Sequence, residues 1–366
     1  MSTINVQKKN KRHISLYLSQ MVRNLLIFLT ICSFEISCEL EHPTPPIKNQ
    51  TIILYVIANN NLEPQGNILF NEIESFIKKE DNNSFNLVLI YRDRESIKLF
   101  SNENHQLLLR KEYGDVNSLS KKKMSYIISD ICTTFPAKEI GIAFWSHGTG
   151  WLPTGNNKTR SFGDDNGESI DIYDLSESIS IKFDYIIFDA CYMGGIEVAT
   201  ELQNTCKYFI ASPTTVPTIG IIDTISLSIL MQDCSLPERL VTLCKYFYEA
   251  KDVPIALIDL EQLDNFINAI TPLKIDPNIF SVYDIKKYVF RINDIFFDIY
   301  SLFKKVNDCN VLLSLKQALL FPQNIEEVCY VSIFIPTDEN KSYWNNYSTT
   351  LWNIQTDWLN KWQCYP

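Results

Sequence analysis

Two short segments carry side chains able to make and break a covalent bond. In Phe144-Trp145-Ser146-His147-Gly148-Thr149-Gly150-Trp151 an apolar run stops at a histidine set among glycines. In Ile186-Ile187-Phe188-Asp189-Ala190-Cys191-Tyr192-Met193-Gly194-Gly195 a second apolar run delivers a cysteine onto a glycine-containing turn. A thiol of ordinary pKa, about 8.5, is only partly ionised at neutral pH, and an imidazole beside it can take its proton and later return it to a leaving amine. Main-chain N–H groups at Gly148 and Cys191 would then form an oxyanion hole, since glycine lets a carbonyl approach the backbone closely. On residue types alone each side chain also has a plainer reading, the cysteine as core and the histidine as a hydrogen-bonded structural residue. His147 is nevertheless singular among the four histidines: His13 and His42 precede the folded region, and His105 lies in a polar stretch.

The elements that must position these groups are written in the apolar pattern. Short β-branched and aromatic runs alternate with longer amphipathic stretches, which predicts a mostly parallel sheet with helices on both faces. Strands are expected at 51–57, 85–91, 140–145, 185–188 and 208–211, with later ones at 254–258 and 330–335. Helices are expected near 64–79, 118–134, 171–180, 195–204, 236–250, 283–304 and 310–319. The strands read as continuous apolar runs, so burial on both faces follows. His147 and Cys191 then lie at the carboxyl ends of parallel strands, where open α/β sheets place their sites. Glycine usage agrees, because nine of the 11 glycines fall within residues 141–220. Glycine is required where the backbone takes positive φ or meets another group closely.

Composition removes several classes. With 366 residues, 46% of them hydrophobic, the chain has ample material for a core. Its 33 Lys plus Arg against 43 Asp plus Glu, net −10, argue against a nucleic-acid binder. No Cys-x-x-Cys pair occurs among the 10 cysteines, which leaves zinc ribbons and thioredoxin chemistry without support. No Gly-x-Ser-x-Gly elbow marks a serine hydrolase.

The first residues read as an export signal. Lys8, Lys9, Lys11, Arg12 and Arg23 precede the apolar stretch Leu25 to Cys32, too short to span a bilayer but suited to a signal peptide. Ile36-Ser37-Cys38 resembles a bacterial lipobox, with Glu35 where an apolar residue is usual; Cys38 is thus the expected lipidation site, and an ordinary cleaved signal of a secreted protein, with Cys38 a bystander, is the alternative. A start at Met21 would also yield a compact lipoprotein signal. The domain expectation is a signal peptide over 1–37, a Pro-rich tether over 38–50 and a folded domain over 51–366, with a core to about 235 and a C-terminal extension beyond.

His147-Gly148-Thr149-Gly150-Trp151 and Asp189-Ala190-Cys191-Tyr192-Met193-Gly194, 44 residues apart from base to nucleophile, resemble the two active-site motifs of the clostripain family. Leu54-Tyr55-Val56 through Asn59-Asn60-Asn61-Leu62 is similar to that family's first strand and loop, and Trp344, Trp352 and Trp358 are similar to tryptophans of its lipoprotein members. The resemblance covers residue 51 to the end. It implies a caspase-like α/β three-layer sandwich and a cysteine endopeptidase with Cys191 as nucleophile and His147 as base. It further implies that Asp189 is the S1 acid that pairs with a substrate Arg or Lys; a carboxylate capping a turn is the alternative for that residue. Self-cleavage after a basic residue between the motifs is expected at Lys158 or Arg160, in the 151–165 loop.

The resemblance has gaps. The segment Ala211 to Gly220 lacks the acidic residue and the aromatic that relatives carry there. The run Asp164-Asp165-Asn166-Gly167-Glu168 suggests calcium but does not match EF-hand spacing, so a solvated acidic turn is the expectation, with no metal or cofactor required. The whole reading is a monomeric, envelope-anchored bacterial peptidase acting on proteins or peptides. A catalytically silent surface lipoprotein that binds peptides or glycans in the same cleft is the alternative.

Overall fold

In β1 (Lys48–Ile57), Ile53, Tyr55 and Ile57 point into one apolar cluster and Ile52, Leu54 and Val56 into another, all of them at most 2% exposed. Period-two alternation with both faces covered is why this stretch reads as an unbroken apolar run. The computed structural model describes residues 22–23, 45–80, 84–152, 161–276, 281–290, 293–323 and 325–363. The signal peptide, Cys38, Lys158 and Arg160 lie outside the described residues.

The strands that follow are β2 (Phe85–Arg92), β3 (Ile97–Glu103), β4 (Gln106–Glu112), β5 (Ala137–Trp145), β6 (Phe162–Asp165), β7 (Glu168–Ile170), β8 (Phe183–Asp189), β9 (Cys206–Ala211) and β10 (Ala256–Asp259), then β11 (Lys287–Phe290), β12 (Asn293–Asp298), β13 (Leu319–Phe321) and β14 (Ser332–Ile333). The main sheet has the order β13-β10-β9-β8-β5-β1-β2-β3-β4. Its five middle strands are parallel, and the outer pairs β2–β3, β3–β4, β9–β10 and β10–β13 are antiparallel.

Helices cover both faces, as expected. Helices α1 (Glu63–Ile77), α5 (Thr224–Leu230) and α6 (Leu236–Lys251) pack Leu69, Ile73, Leu227, Leu240 and Phe247 on the face of Leu54; the opposite face takes α2 (Lys121–Thr134), α3 (Ile172–Ser178), α4 (Ile196–Glu201), α7 (Leu263–Ile270), α8 (Ile299–Val306) and α9 (Cys309–Ala318). Local sequence sets the helix starts. Ser120 and Asp171 accept N–H groups of the first turns of α2 and α3, and Ser235 with Glu238 closes a capping box on α6.

Three expectations are corrected. The stretch 283–304 is the β11–β12 hairpin followed by α8, because β12 pairs with β14 through Phe297 and Asp298. The strand expected at 330–335 shortens to β14, in a separate three-stranded sheet of order β11-β12-β14. β1 begins at Lys48, inside the expected tether, and its partner there is Ala137. The β3–β4 hairpin, α5 and α7 were not foreseen. Beyond residue 236 the chain supplies β10 and β13 to the main sheet.

Candidate active site

The β5–β8 ladder aligns the two motifs. Trp145 pairs with Asp189, so His147 and Cys191 each leave the sheet two residues beyond the same rung. Both therefore emerge at the carboxyl edge of the parallel strands.

The histidine segment is held from its main chain. Gly163 N–H donates to the His147 carbonyl at 2.8 Å and Thr149 N–H to that of Ser161 at 3.0 Å, which joins the motif to β6. The ring of His147 is half-buried, and its Nε2 lies 2.7 Å from Asn61 Oδ1. Burial pushes the imidazole pKa below its ordinary value, with Asp164 acting in the opposite direction. Trp151, which ends the motif, is buried with edge-on contacts to Tyr347 and Phe334 from the C-terminal region.

Cys191 is half-buried in the turn before α4. The Val216 N–H donates to its Sγ at 3.3 Å, while Tyr192 N–H and Gly194 N–H bond the carbonyls of Thr214 and Ser212 at 2.9 and 2.7 Å. The 212–216 segment thus runs along the Cys191 turn and lies against the thiol. Burial pushes the Cys191 thiol above its usual value, the Val216 N–H draws it down and Asp189 raises it. Tyr192 adopts φ of 60°, a conformation uncommon for a non-glycine residue and a recurrent mark of reactive turns. Its hydroxyl donates to the Val289 carbonyl at 3.0 Å and its ring stacks on Phe296, so β11 and β12 brace the residue next to Cys191.

Gly148 meets the same turn. A Cβ built there would stand 2.5 Å from the Cys191 carbonyl oxygen, a distance no side chain tolerates, so the two motifs touch through backbone. This is the close approach that glycine alone permits.

Asp189 is 3% exposed, and its carboxylate accepts the N–H groups of Ile221 at 2.8 Å and Ile222 at 3.0 Å. It caps the turn that begins at Gly220, which has φ of 78° and no room for a Cβ against the Asp189 oxygens. Asp189 thus makes the hydrogen bonds of a turn-capping carboxylate. Burial pushes its pKa up to about 7, against the pull of those two N–H groups, and no cation pairs with it among the described residues. Residues 217–219 of the loop above it are exposed.

The acidic run forms the β6–β7 turn, and its expected solvation is corrected at Asp165. That residue is 3% exposed, its Oδ1 lies 2.9 Å from Arg92 Nε, and Asn59 and Ser118 complete its hydrogen bonds. No group of His, Cys, Asp and Glu able to hold a metal occurs among the described residues. Sequence reasoning missed Asn61, Val216 and the Arg92–Asp165 pair. The Asn59-Asn60-Asn61 triplet was the one available signal, since three consecutive amide side chains after a buried strand mark a hydrogen-bonding turn.

The model of the clostripain family matches residues 54–276. Among solved structures, the chain is similar to a secreted C11 cysteine protease from Bacteroides thetaiotaomicron in complex with an irreversible peptide inhibitor, at 24% identity and TM-score 0.73, over 85% of this chain and 99% of that one. It is also similar to an inactive zymogen C11 protease from Parabacteroides distasonis, at 21% identity and TM-score 0.72, over 85% and 99% of the two chains. These likenesses show the fold. No curated protein sequence matches the chain.

Proposed function

Because the chain belongs to the clostripain family of cysteine peptidases, we propose that Cys191 and His147 form its catalytic dyad and that it hydrolyses peptide bonds after Arg or Lys. The observation that carries this reading is the backbone contact of Gly148 with Cys191, beyond one rung of the sheet. His147 takes the thiol proton as Sγ attacks the scissile carbonyl carbon, and the N–H groups of Gly148 and Cys191 receive the resulting oxyanion. Collapse expels the amine, which carries off the proton from His147 and leaves a thioester. Water, deprotonated by the imidazole, then releases the acid and restores the thiol.

Preference for a basic side chain is supported by Asp189. A buried carboxylate with no cationic partner gains from a guanidinium or ammonium brought beside it, and that pairing would pull its pKa down from about 7. Asp189 is 3% exposed beneath the Gly220–Ile222 turn, so a substrate side chain reaches it by displacing that turn. Self-cleavage at Lys158 or Arg160, export, and a lipid anchor at Cys38 complete the proposal. The alternative of a silent binding protein draws on one observation, the Val216 backbone lying over the Cys191 thiol.

The deciding experiment is hydrolysis of fluorogenic peptides ending in Arg, Lys or Asp by the purified protein, with Cys191→Ala and Asp189→Asn beside it. Cleavage of the basic peptides, abolished by the first change and weakened by the second, is the expected result. No cleavage of any peptide, even after trypsin nicking between 151 and 165, would favour the binding protein.

A further inference from the structure

We propose that Asn61 is a positioning residue of this peptidase: its side-chain oxygen holds the Nε2–H of His147 and thereby leaves the Nδ1 lone pair as the base directed at Cys191. The inference rests on the dyad proposed above. A carboxamide oxygen only accepts hydrogen bonds, so an Nε2 atom 2.7 Å from Asn61 Oδ1 carries the hydrogen. In a neutral imidazole the other nitrogen is then the acceptor, and the partner of one nitrogen decides the role of the other.

Both ends of this contact are fixed from the same element. On the asparagine side, Asn60 donates to the Asp164 carbonyl at 2.6 Å and accepts the Leu62 N–H at 2.7 Å. Asn59 donates to Asp165 at 2.7 Å and accepts the Asn166 N–H at 2.8 Å, which ties the turn after β1 to the β6–β7 turn. On the histidine side, Gly163 of β6 bonds the His147 carbonyl at 2.8 Å. The shared anchor keeps Asn61 Oδ1 within hydrogen-bond reach of His147 Nε2, and that bond favours the Nε2–H tautomer. An amide is also the neutral choice. A carboxylate in its place would favour the imidazolium, whereas the amide leaves Asp164 as the charged group acting on the ring.

The test reads the ring directly. Imidazole 15N shifts of the full-length protein, with His147→Gln to assign the signal among four histidines, should show the Nε2–H tautomer, replaced by a mixture in Asn61→Ala. In peptide hydrolysis, Asn61→Ala and Asn61→Leu should lower kcat about tenfold with little change in KM, the loss of one hydrogen bond to the base. Asn61→Asp should restore most of the rate and move the pH limb governed by His147 upward, which a merely structural role would not do. An Nδ1–H tautomer in the wild type, or wild-type kcat and pH profile in Asn61→Leu with an unchanged thermal melt, would overturn the proposal. Failure of the dyad itself is distinguishable: hydrolysis surviving in Cys191→Ala removes the dyad, while the 15N shifts still report whether Asn61 sets the tautomer.

Discussion

Gly148 lies against the main chain of Cys191, so closely that a methyl group on the glycine would overlap the cysteine carbonyl oxygen. The same methyl would stand 2.9 Å from Met193 Sδ. Gly148→Ala must therefore displace the backbone that carries Cys191, the proposed nucleophile. A displacement of about 1 Å at a reacting group costs on the order of a hundredfold in rate, and that fall in kcat/KM is expected with a modest loss in Tm. Wild-type turnover in this variant would refute the contact's importance.

The Arg92–Asp165 pair is buried at both ends, with side-chain exposures of 5% and 1%. Among the described residues Arg92 has one other acidic partner, Asp115, whose side chain is 70% exposed. Asp165→Ala leaves the buried guanidinium with the exposed Asp115 alone and should destabilise the fold by about 3 kcal/mol in urea titration. Removing both charges, as in Arg92→Met with Asp165→Leu, should cost less than the sum of the single changes. Additivity would mean that the two side chains do not act as a pair.

Glu197 is fully buried in α4, where one carboxylate oxygen accepts the Phe334 N–H at 2.8 Å and the Tyr347 hydroxyl at 2.9 Å. Burial pushes its pKa up to about 7. The folded state thus holds a proton that the unfolded state gives up near the ordinary 4.5. Its stabilising contribution is complete below that lower value and is lost as pH rises through about 7. Glu197→Gln carries no charge to bury, so its Tm relative to wild type should climb between pH 5 and pH 8.5, by a few degrees or more. A difference independent of pH would contradict this assignment.

Burial holds the Cys191 thiol above its usual pKa, so little thiolate is present at neutral pH. Alkylation by iodoacetamide, followed at the Cys191 peptide by mass spectrometry, should be slower at pH 7 than at the exposed Cys234 and Cys309. The rate should rise steeply only in alkaline buffer. Rapid modification at pH 6 would show an ionised thiol instead.

Much of the fold was legible in the chain, and particular residues explain what was not. β1, β2, β5 and β8 stood out because burial on both faces demands unbroken apolar runs. The stretch 283–304 misled because its apolar spacing suits a helix as well as two short strands. Pairing of β12 with β14, residues far along the chain, settled it as a hairpin. The β3–β4 hairpin escaped because it lies at the sheet edge, with β4 largely exposed and mixed in character.

The sequence by itself determined the α/β sandwich and the His147 and Cys191 motifs, because hydrophobic period and glycine placement act over a few residues. The tertiary structure alone decided what surrounds those motifs. Asn61 reaches His147 across 86 residues, Val216 reaches Cys191 across 25, and Ile221 and Ile222 close over an Asp189 that the chain presents simply as an acid. Such partners are chosen by strand order and loop packing, and backbone N–H groups, which every residue but proline carries, leave no mark in a sequence.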